Sequence, residues 1–279
     1  NKIKRLNPFY IMYASDLFKN KKVLVTGGRS GIGYGIAKAF LSYGAEVMIA
    51  SRKEEPLQAA VNELRAFGTC YAQTCDIREP EAIQKLGEVI QETMGGLDIL
   101  INNAGGQFPA PSNVIAQKGW AAVINNNLNG TFYMCQHMAN TFFIPQKKGT
   151  IINITANVMR GFPGMAHTGA ARAGVENLTK TLGQEWAEHN IRVNAVAPGT
   201  IATSGLENYP DQMQAFLKES EQKNLMKRFG TAEDVSHAVL FLSSPLSSYI
   251  SGVTLAVDGL EHLAGDRMEL YNTIMSFMK

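Results

Sequence analysis

The chain predicts an α/β fold: a doubly wound parallel sheet of seven strands with helices on both faces. Two observations carry this. Short β-branched runs alternate with longer stretches whose apolar residues recur at helical spacing, the pattern of repeated βα units. A glycine-rich turn also stands directly between the first apolar run and the first helical pattern. With 279 residues, 45% hydrophobic and 18% charged, the chain can bury a full core and is neither disordered nor fibrous.

The strands are expected at 23–26, 46–50, 69–74, 97–102, 150–154, 192–197 and 254–257, each a short run framed by turn residues. Helical periodicity places helices at 32–43, 55–67, 79–93, 119–142, 167–189 and 232–242. Pro56 and Pro80 suit first helical turns, where a missing N–H costs nothing. No linker or repeat divides the chain, so one domain over 21–262 is expected, with an N-terminal arm at 1–20 and a helical tail at 263–279. The stretch 199–229 breaks the βα rhythm and reads either as a lid or as an inert surface insertion, the lid being preferred because long excursions in compact domains are often functional.

Thr26-Gly27-Gly28-Arg29-Ser30-Gly31-Ile32-Gly33 is where a phosphate is expected to sit. Gly27, Gly31 and Gly33 let the backbone turn sharply and approach a pyrophosphate, and the helix that follows offers unpaired N–H donors and its dipole. A net charge of +2 does not suggest nucleic acid, and no Lys/Arg block suggests an anionic membrane. No apolar stretch approaches the roughly 18 residues of a membrane span. Cys70, Cys75 and Cys135 form no CxxC pair and fit a reducing, cytoplasmic setting. The five histidines, His137, His167, His189, His237 and His262, have no ligand spacing, so no metal site is expected.

Several motifs in order resemble the short-chain dehydrogenase/reductase family, whose domain is a Rossmann fold, from about Lys21 to Gly259. Thr26–Gly33 matches its TGxxxGxG cofactor turn, Asp76-Ile77 the acid near the adenine, and Asn102-Asn103-Ala104-Gly105 its NNAG motif. Asn127 matches the active-site asparagine of the central helix, and Pro198-Gly199 with Thr203 the PGxxxT segment beside the nicotinamide. Gly106-Gln107-Phe108, Lys118-Gly119-Trp120, the run 130–135 and the run 169–175 are similar to members reducing trans-2-enoyl-CoA, with the 2,4-dienoyl-CoA reductases a neighbouring group. The resemblance implies a dinucleotide held by Gly27, Arg29, Ser30, Gly31, Ile32, Gly33, Ser51, Arg52, Lys53, Asp76, Ile77, Asn103, Ala104, Gly105, Arg172, Pro198, Gly199, Ile201 and Thr203. It also implies a homotetramer or homodimer.

The position roughly 20 residues beyond the glycines selects the cofactor, since an acid there binds the ribose 2′-hydroxyl and repels a 2′-phosphate. Ser51-Arg52-Lys53 occupies it, and Arg29 faces it from the glycine turn, so NADPH/NADP is expected.

Most family members carry Tyr-x-x-x-Lys, where this chain has Thr168 and Arg172, still on one helical face. A threonine hydroxyl is far less acidic than a phenol of pKa about 10, and arginine stays protonated, so ketone reduction by the tyrosine route is not expected. Reducing a conjugated C=C bond instead collects negative charge on a thioester oxygen, which needs hydrogen-bond donors first. Asn127, Thr155 and Thr168 are the candidate donors, Arg172 the candidate holder of the nicotinamide ribose, and an acyl-CoA thioester the expected substrate. Lys218, Lys223, Lys227 and Arg228 are either CoA-phosphate contacts or solvated charges.

Overall fold

A computed structural model describes residues 14–203, 221–222 and 224–263. Seven strands form one wholly parallel sheet in the order β3-β2-β1-β4-β5-β6-β9: β1 (Lys22–Thr26), β2 (Glu46–Ser51), β3 (Cys70–Thr74), β4 (Ile99–Asn102), β5 (Gly149–Ile154), β6 (Ile191–Pro198) and β9 (Thr254–Val257). All seven expected strands are therefore present. A separate two-residue pairing joins β7 (Ile201–Ala202) to β8 (Gly230–Thr231).

Alternation along each strand divides the core between two faces, as the two-residue period of a strand requires. Val23, Val25, Val47, Ile49, Ile99, Ile101, Ile152 and Ile154 point to one face, where Ile36, Phe40, Leu57, Leu64, Val235 and Val239 cover them from α1 (Gly31–Ser42), α2 (Glu54–Leu64) and α7 (Ala232–Ser243). Leu24, Met48, Leu100, Ile151 and Val193 point to the other. There Ile83, Leu86, Met134, Met138 and Leu182 cover them from α3 (Pro80–Met94), α5 (Gly130–Met138) and α6 (Ala166–Glu185). At the end of the stretch expected as an arm, Phe18 is buried and meets Phe40 edge-on, ring centroids 4.8 Å apart, so an aromatic side chain fastens this end to the core.

The helix expected at 119–142 is interrupted. α4 (Gln117–Ile124) passes through a π turn at Asn125–Asn129 into α5, and a second π turn follows at Ala139–Phe143. Asn127 accounts for the first: its Nδ2 donates to the Val123 carbonyl at 2.9 Å, the acceptor that a regular ladder reserves for a backbone N–H. The helix expected at 167–189 is α6 followed by a 3₁₀ turn at Ala187–His189. Most of the lid at 199–229, almost all of the tail at 263–279 and the first thirteen residues of the arm lie outside the described residues, as do Lys218 and Lys223.

Candidate active site

The chain leaves β1 toward β2 and β3, then returns to place β4 on β1's other side. This reversal opens a crevice at the carboxyl ends of β1 and β4, where open α/β sheets bind ligands. A cleft of about 260 Å³ lies there, lined by Gly27, Arg29, Ser30, Ser51, Arg52, Asp76, Ile77, Asn103, Ala104 and Gly105, all expected from the sequence. Ala50, Cys75 and Asn126 join them without having been singled out. Lys53 instead stands exposed at the N-cap of α2, outside the lining.

The glycines act as their spacing implied. Gly27 adopts φ of 67°, and a Cβ there would meet Asn103 Nδ2 at 2.8 Å. Gly33 packs so tightly on Asn103 that a Cβ would overlap its amide and lie 2.5 Å from the Gly27 carbonyl. Asn103 closes the turn, with Nδ2 donating to the Thr26 and Gly27 carbonyls at 3.0 and 3.3 Å. Thr26 Oγ1 accepts from the backbone N–H groups of Asn103 and Ala104, both at 3.0 Å. Strand ends β1 and β4 are thereby clamped under the cleft. Ser30 caps α1 without a side-chain hydrogen bond, leaving first-turn N–H groups available to an anion. Gly31 and Ile32 open that helix. Across the cleft, Arg78 Nε donates to Asp76 Oδ1 at 2.8 Å, and the guanidinium holds the Asp76 carboxyl below its ordinary range.

Arg172 reaches the inner end of the cleft. It is 9% exposed, donates from Nη1 to the Ile154 carbonyl at 3.0 Å, and lies with Asn127 Oδ1 against the bare face of Gly105. No carboxylate pairs with it among the described residues, and burial lowers its pKa to about 10, so it remains a cation at neutral pH. An enclosed, unpaired cation is costly unless something anionic or strongly accepting meets it.

The other expected donors are differently placed. Asn127 is buried, and both hydrogens of its amide are engaged, by the Gly106 carbonyl at 2.7 Å and by that of Val123. Its Oδ1 accepts the Gly106 N–H at 3.2 Å. This corrects its expected role as a donor to substrate: Asn127 fixes the loop after β4. The Thr155 hydroxyl lies 3.3 Å from the Val196 carbonyl and also faces the Glu176 carboxylate, whose pKa burial pushes up. Thr168 is fully enclosed, its Oγ1 3.3 Å from His167 Nδ1.

Glu176 lines a second cavity of about 310 Å³ with Asn157, Lys180, Asp258 and His262. Asp258 accepts from Asn157 Nδ2 at 3.2 Å and lies 2.7 Å from His262 Nδ1. The segment after β6 is anchored nearby. Pro198 is buried, Gly199 packs on Asp258, and the Thr200 N–H donates to Glu261 at 3.0 Å. Ile201 is held by pairing with Gly230, and Thr203 approaches Gly31, where a Cβ would stand 3.6 Å from its methyl group. Sequence reading passed over Asp258-Gly259, although a positive φ of 58° at Gly259 is what a turn after a strand needs.

A nucleotide crevice of this construction marks the chain as a dinucleotide-dependent oxidoreductase by fold and site. The family model described as enoyl-(acyl carrier protein) reductase matches residues 27–259. The chain belongs to the short-chain dehydrogenase/reductase family. It is 36% identical to the peroxisomal 2,4-dienoyl-CoA reductase of Rattus norvegicus over 96% of this chain and 91% of that one. A probable 2,4-dienoyl-CoA reductase of Bacillus subtilis is 36% identical over 86% and 96%. Among solved structures, a citronellol catabolism dehydrogenase of Pseudomonas aeruginosa superposes with a TM-score of 0.80 at 36% identity, covering 90% of this chain and 98% of that chain.

Proposed function

We propose that the protein is an NADPH-dependent reductase of C=C bonds conjugated to an acyl thioester, with trans-2-enoyl-CoA as substrate. The supporting observation is Arg172, an enclosed cation without an acidic partner among the described residues at the inner end of the cleft. It answers an accepting ligand, whether ribose hydroxyls or charge developing on a thioester oxygen. Gly27, Gly31, Ile32, Gly33 and the uncapped start of α1 would hold the pyrophosphate. Arg29, Ser51 and Arg52 would hold a 2′-phosphate, with Lys53 adding charge at the rim. Asp76 and Ile77 would flank the adenine, and Asn103, Ala104, Gly105, Pro198, Gly199, Ile201 and Thr203 the remainder.

Bound NADPH supplies the hydride that the β-carbon of the substrate accepts. Arg172 orients the ribose, Asn127 holds Gly106 in place, and the threonines at 155 and 168 border the thioester oxygen. Protonation of the α-carbon falls to water or to an acid other than the threonines, neither of which is acidic enough. Dienoyl thioesters, named for the rat and Bacillus relatives, are the nearest alternative substrates. The likeness to the citronellol dehydrogenase favours one rival, an alcohol or carbonyl dehydrogenase acting on terpenoid or aliphatic compounds. An NADP-binding protein without activity is the other.

The reading also includes a cytoplasmic setting, supported by three unpaired, buried cysteines, and assembly as a homodimer or homotetramer. β9, at the sheet's edge with Val253 and Leu255 exposed beside it or on it, supports that assembly. No helix among the described residues is long and apolar enough to cross a membrane.

NADPH oxidation should be followed with enoyl-CoA, dienoyl-CoA, ketones and aldehydes, and NADP reduction with citronellol. Turnover confined to the thioesters is expected, and Arg172→Met should lower kcat/KM by about 10²-fold or more. Turnover of alcohols or ketones alone would transfer the assignment to the rival dehydrogenase, and tight NADP binding without turnover to the inactive binder.

A further inference from the structure

His167 immediately precedes Thr168 on α6 and is wholly enclosed. Its Nδ1 accepts the Thr168 backbone N–H at 2.8 Å, so that nitrogen carries no hydrogen and the ring proton resides on Nε2. Nε2 is also buried, yet it has no hydrogen-bond partner among the described residues. A protein rarely keeps an enclosed donor unsatisfied unless something else meets it during function.

An aromatic side chain packs on the ring. Phe108 meets it edge-on, centroids 4.5 Å apart at 73°, while remaining 39% exposed. It belongs to the stretch between Asn102 and Ser112, which has neither helix nor strand. Phe108 rests on the bare face of Gly119, where a Cβ would lie 2.9 Å from its ring. Two residues earlier, Gly106 is tied at both N–H and carbonyl to Asn127. The backbone is thus pinned at Gly106, while the aromatic side chain over His167 is half in solvent. Phe162 packs against Gly169, two residues further along α6.

We propose that His167 is a substrate-binding residue: Nε2–H donates to the carbonyl oxygen of the acyl thioester, uncovered when the Phe108 ring swings aside to pack on the acyl chain. The inference rests on the thioester reading above, because a ring N–H beneath an aromatic side chain suits a carbonyl joined to an apolar chain and not a charged headgroup.

The test uses the full chain. His167→Phe removes the donor and keeps a ring beside Phe108; His167→Gln restores an N–H. His167→Phe should lower kcat/KM for trans-2-enoyl-CoA about tenfold and weaken saturated acyl-CoA binding to the NADP-loaded protein, measured by calorimetry, by a similar factor. Its NADPH affinity should not fall; Tm should drop, because the Thr168 N–H loses its Nδ1 acceptor, and the acyl-CoA affinity of the folded protein is the readout that a purely structural histidine would not move. His167→Gln should recover most of the lost affinity. In the wild type, the ¹⁵N and ¹H resonances of the His167 Nε2–H group should move when saturated acyl-CoA is added. This readout does not depend on the variants folding.

Unchanged acyl-CoA affinity in His167→Phe, or an Nε2–H resonance that moves with NADP alone, overturns the proposal. If acyl-CoA binds and shifts that resonance but no thioester is reduced, the functional reading fails while His167 keeps its binding role. A wild type that neither binds nor reduces acyl-CoA overturns both.

Discussion

Arg52 carries a charge question that one substitution resolves. It lines the cleft beside Ser51, and its positive charge lies near enough to help hold the Asp76 carboxyl down. Arg52→Asp should shift the NADPH/NADH preference in kcat/KM toward NADH by about 10- to 100-fold, the worth of one charge-assisted contact and its replacement by repulsion. Parallel titrations with the two reduced cofactors measure it. An unchanged preference would make Arg52 a solvated loop charge. Residues whose chemistry is local, such as Gly27, Gly33 and Arg52, were legible because backbone freedom and fixed charge show in a short window of sequence. Asn127 was legible in position but not in use. Nothing in Asn127-Leu128-Asn129 says that its amide will be engaged by Gly106, 21 residues away. His167 was less legible still, since an orphaned nitrogen exists only once the ring is enclosed.

Among the elements, α7 has the clearest terminus. Thr231 Oγ1 accepts the Asp234 N–H at 3.2 Å, and Asp234 Oδ2 accepts the Thr231 N–H at 2.8 Å, closing a capping box. Arg228 embraces the same carboxylate from the preceding loop, Nη1 to Oδ2 at 2.6 Å, and holds Asp234 at about 2 against an ordinary value of 3.8. Thr231→Ala should cost about 1 kcal/mol, read by urea unfolding at neutral pH. A depressed carboxyl binds fewer protons folded than unfolded, so its contribution is complete above about pH 4 and disappears as pH falls toward 2. The Tm gap between wild type and Asp234→Asn should therefore be present at pH 7 and narrow across that acid window. Strand periodicity recovered every member of the main sheet, and helical periodicity recovered the helices with blurred ends. The π turns escaped it, because the first depends on a diverted ladder hydrogen bond, Asn127 Nδ2 to the Val123 carbonyl, which apolar spacing does not report.

At the scale of the molecule, the core of one sheet face lies behind the cleft. Phe40 is fully buried on the face shared by α1, α2 and α7, toward the C-terminal end of α1, whose first turn opens on the cleft. Phe40→Ala should destabilise the protein by about 3–5 kcal/mol in chemical denaturation while leaving the NADPH affinity of the folded fraction unchanged. Loss of affinity in step with stability would mean that the packing of α1 on the core sets the position of its first turn. The fold class could be read before any site because it depends on a pattern repeated along the chain, and each unit confirms the last. The packing of the segment before β1 was not legible for the opposite reason: a single phenylalanine, Phe18, decides it.

The wholly parallel sheet has a kinetic consequence. No neighbouring pair in it can be zipped by a hairpin, because parallel strands need a crossover between them. The clamp that joins Thr26 to Asn103 closes across 77 residues of chain. Early strands emerging from the ribosome must therefore wait for β4 before the nucleotide crevice exists. Folding should be slow for a protein of this size, and its rate should respond to substitutions in β1 and β4 more than to those at the sheet's edges.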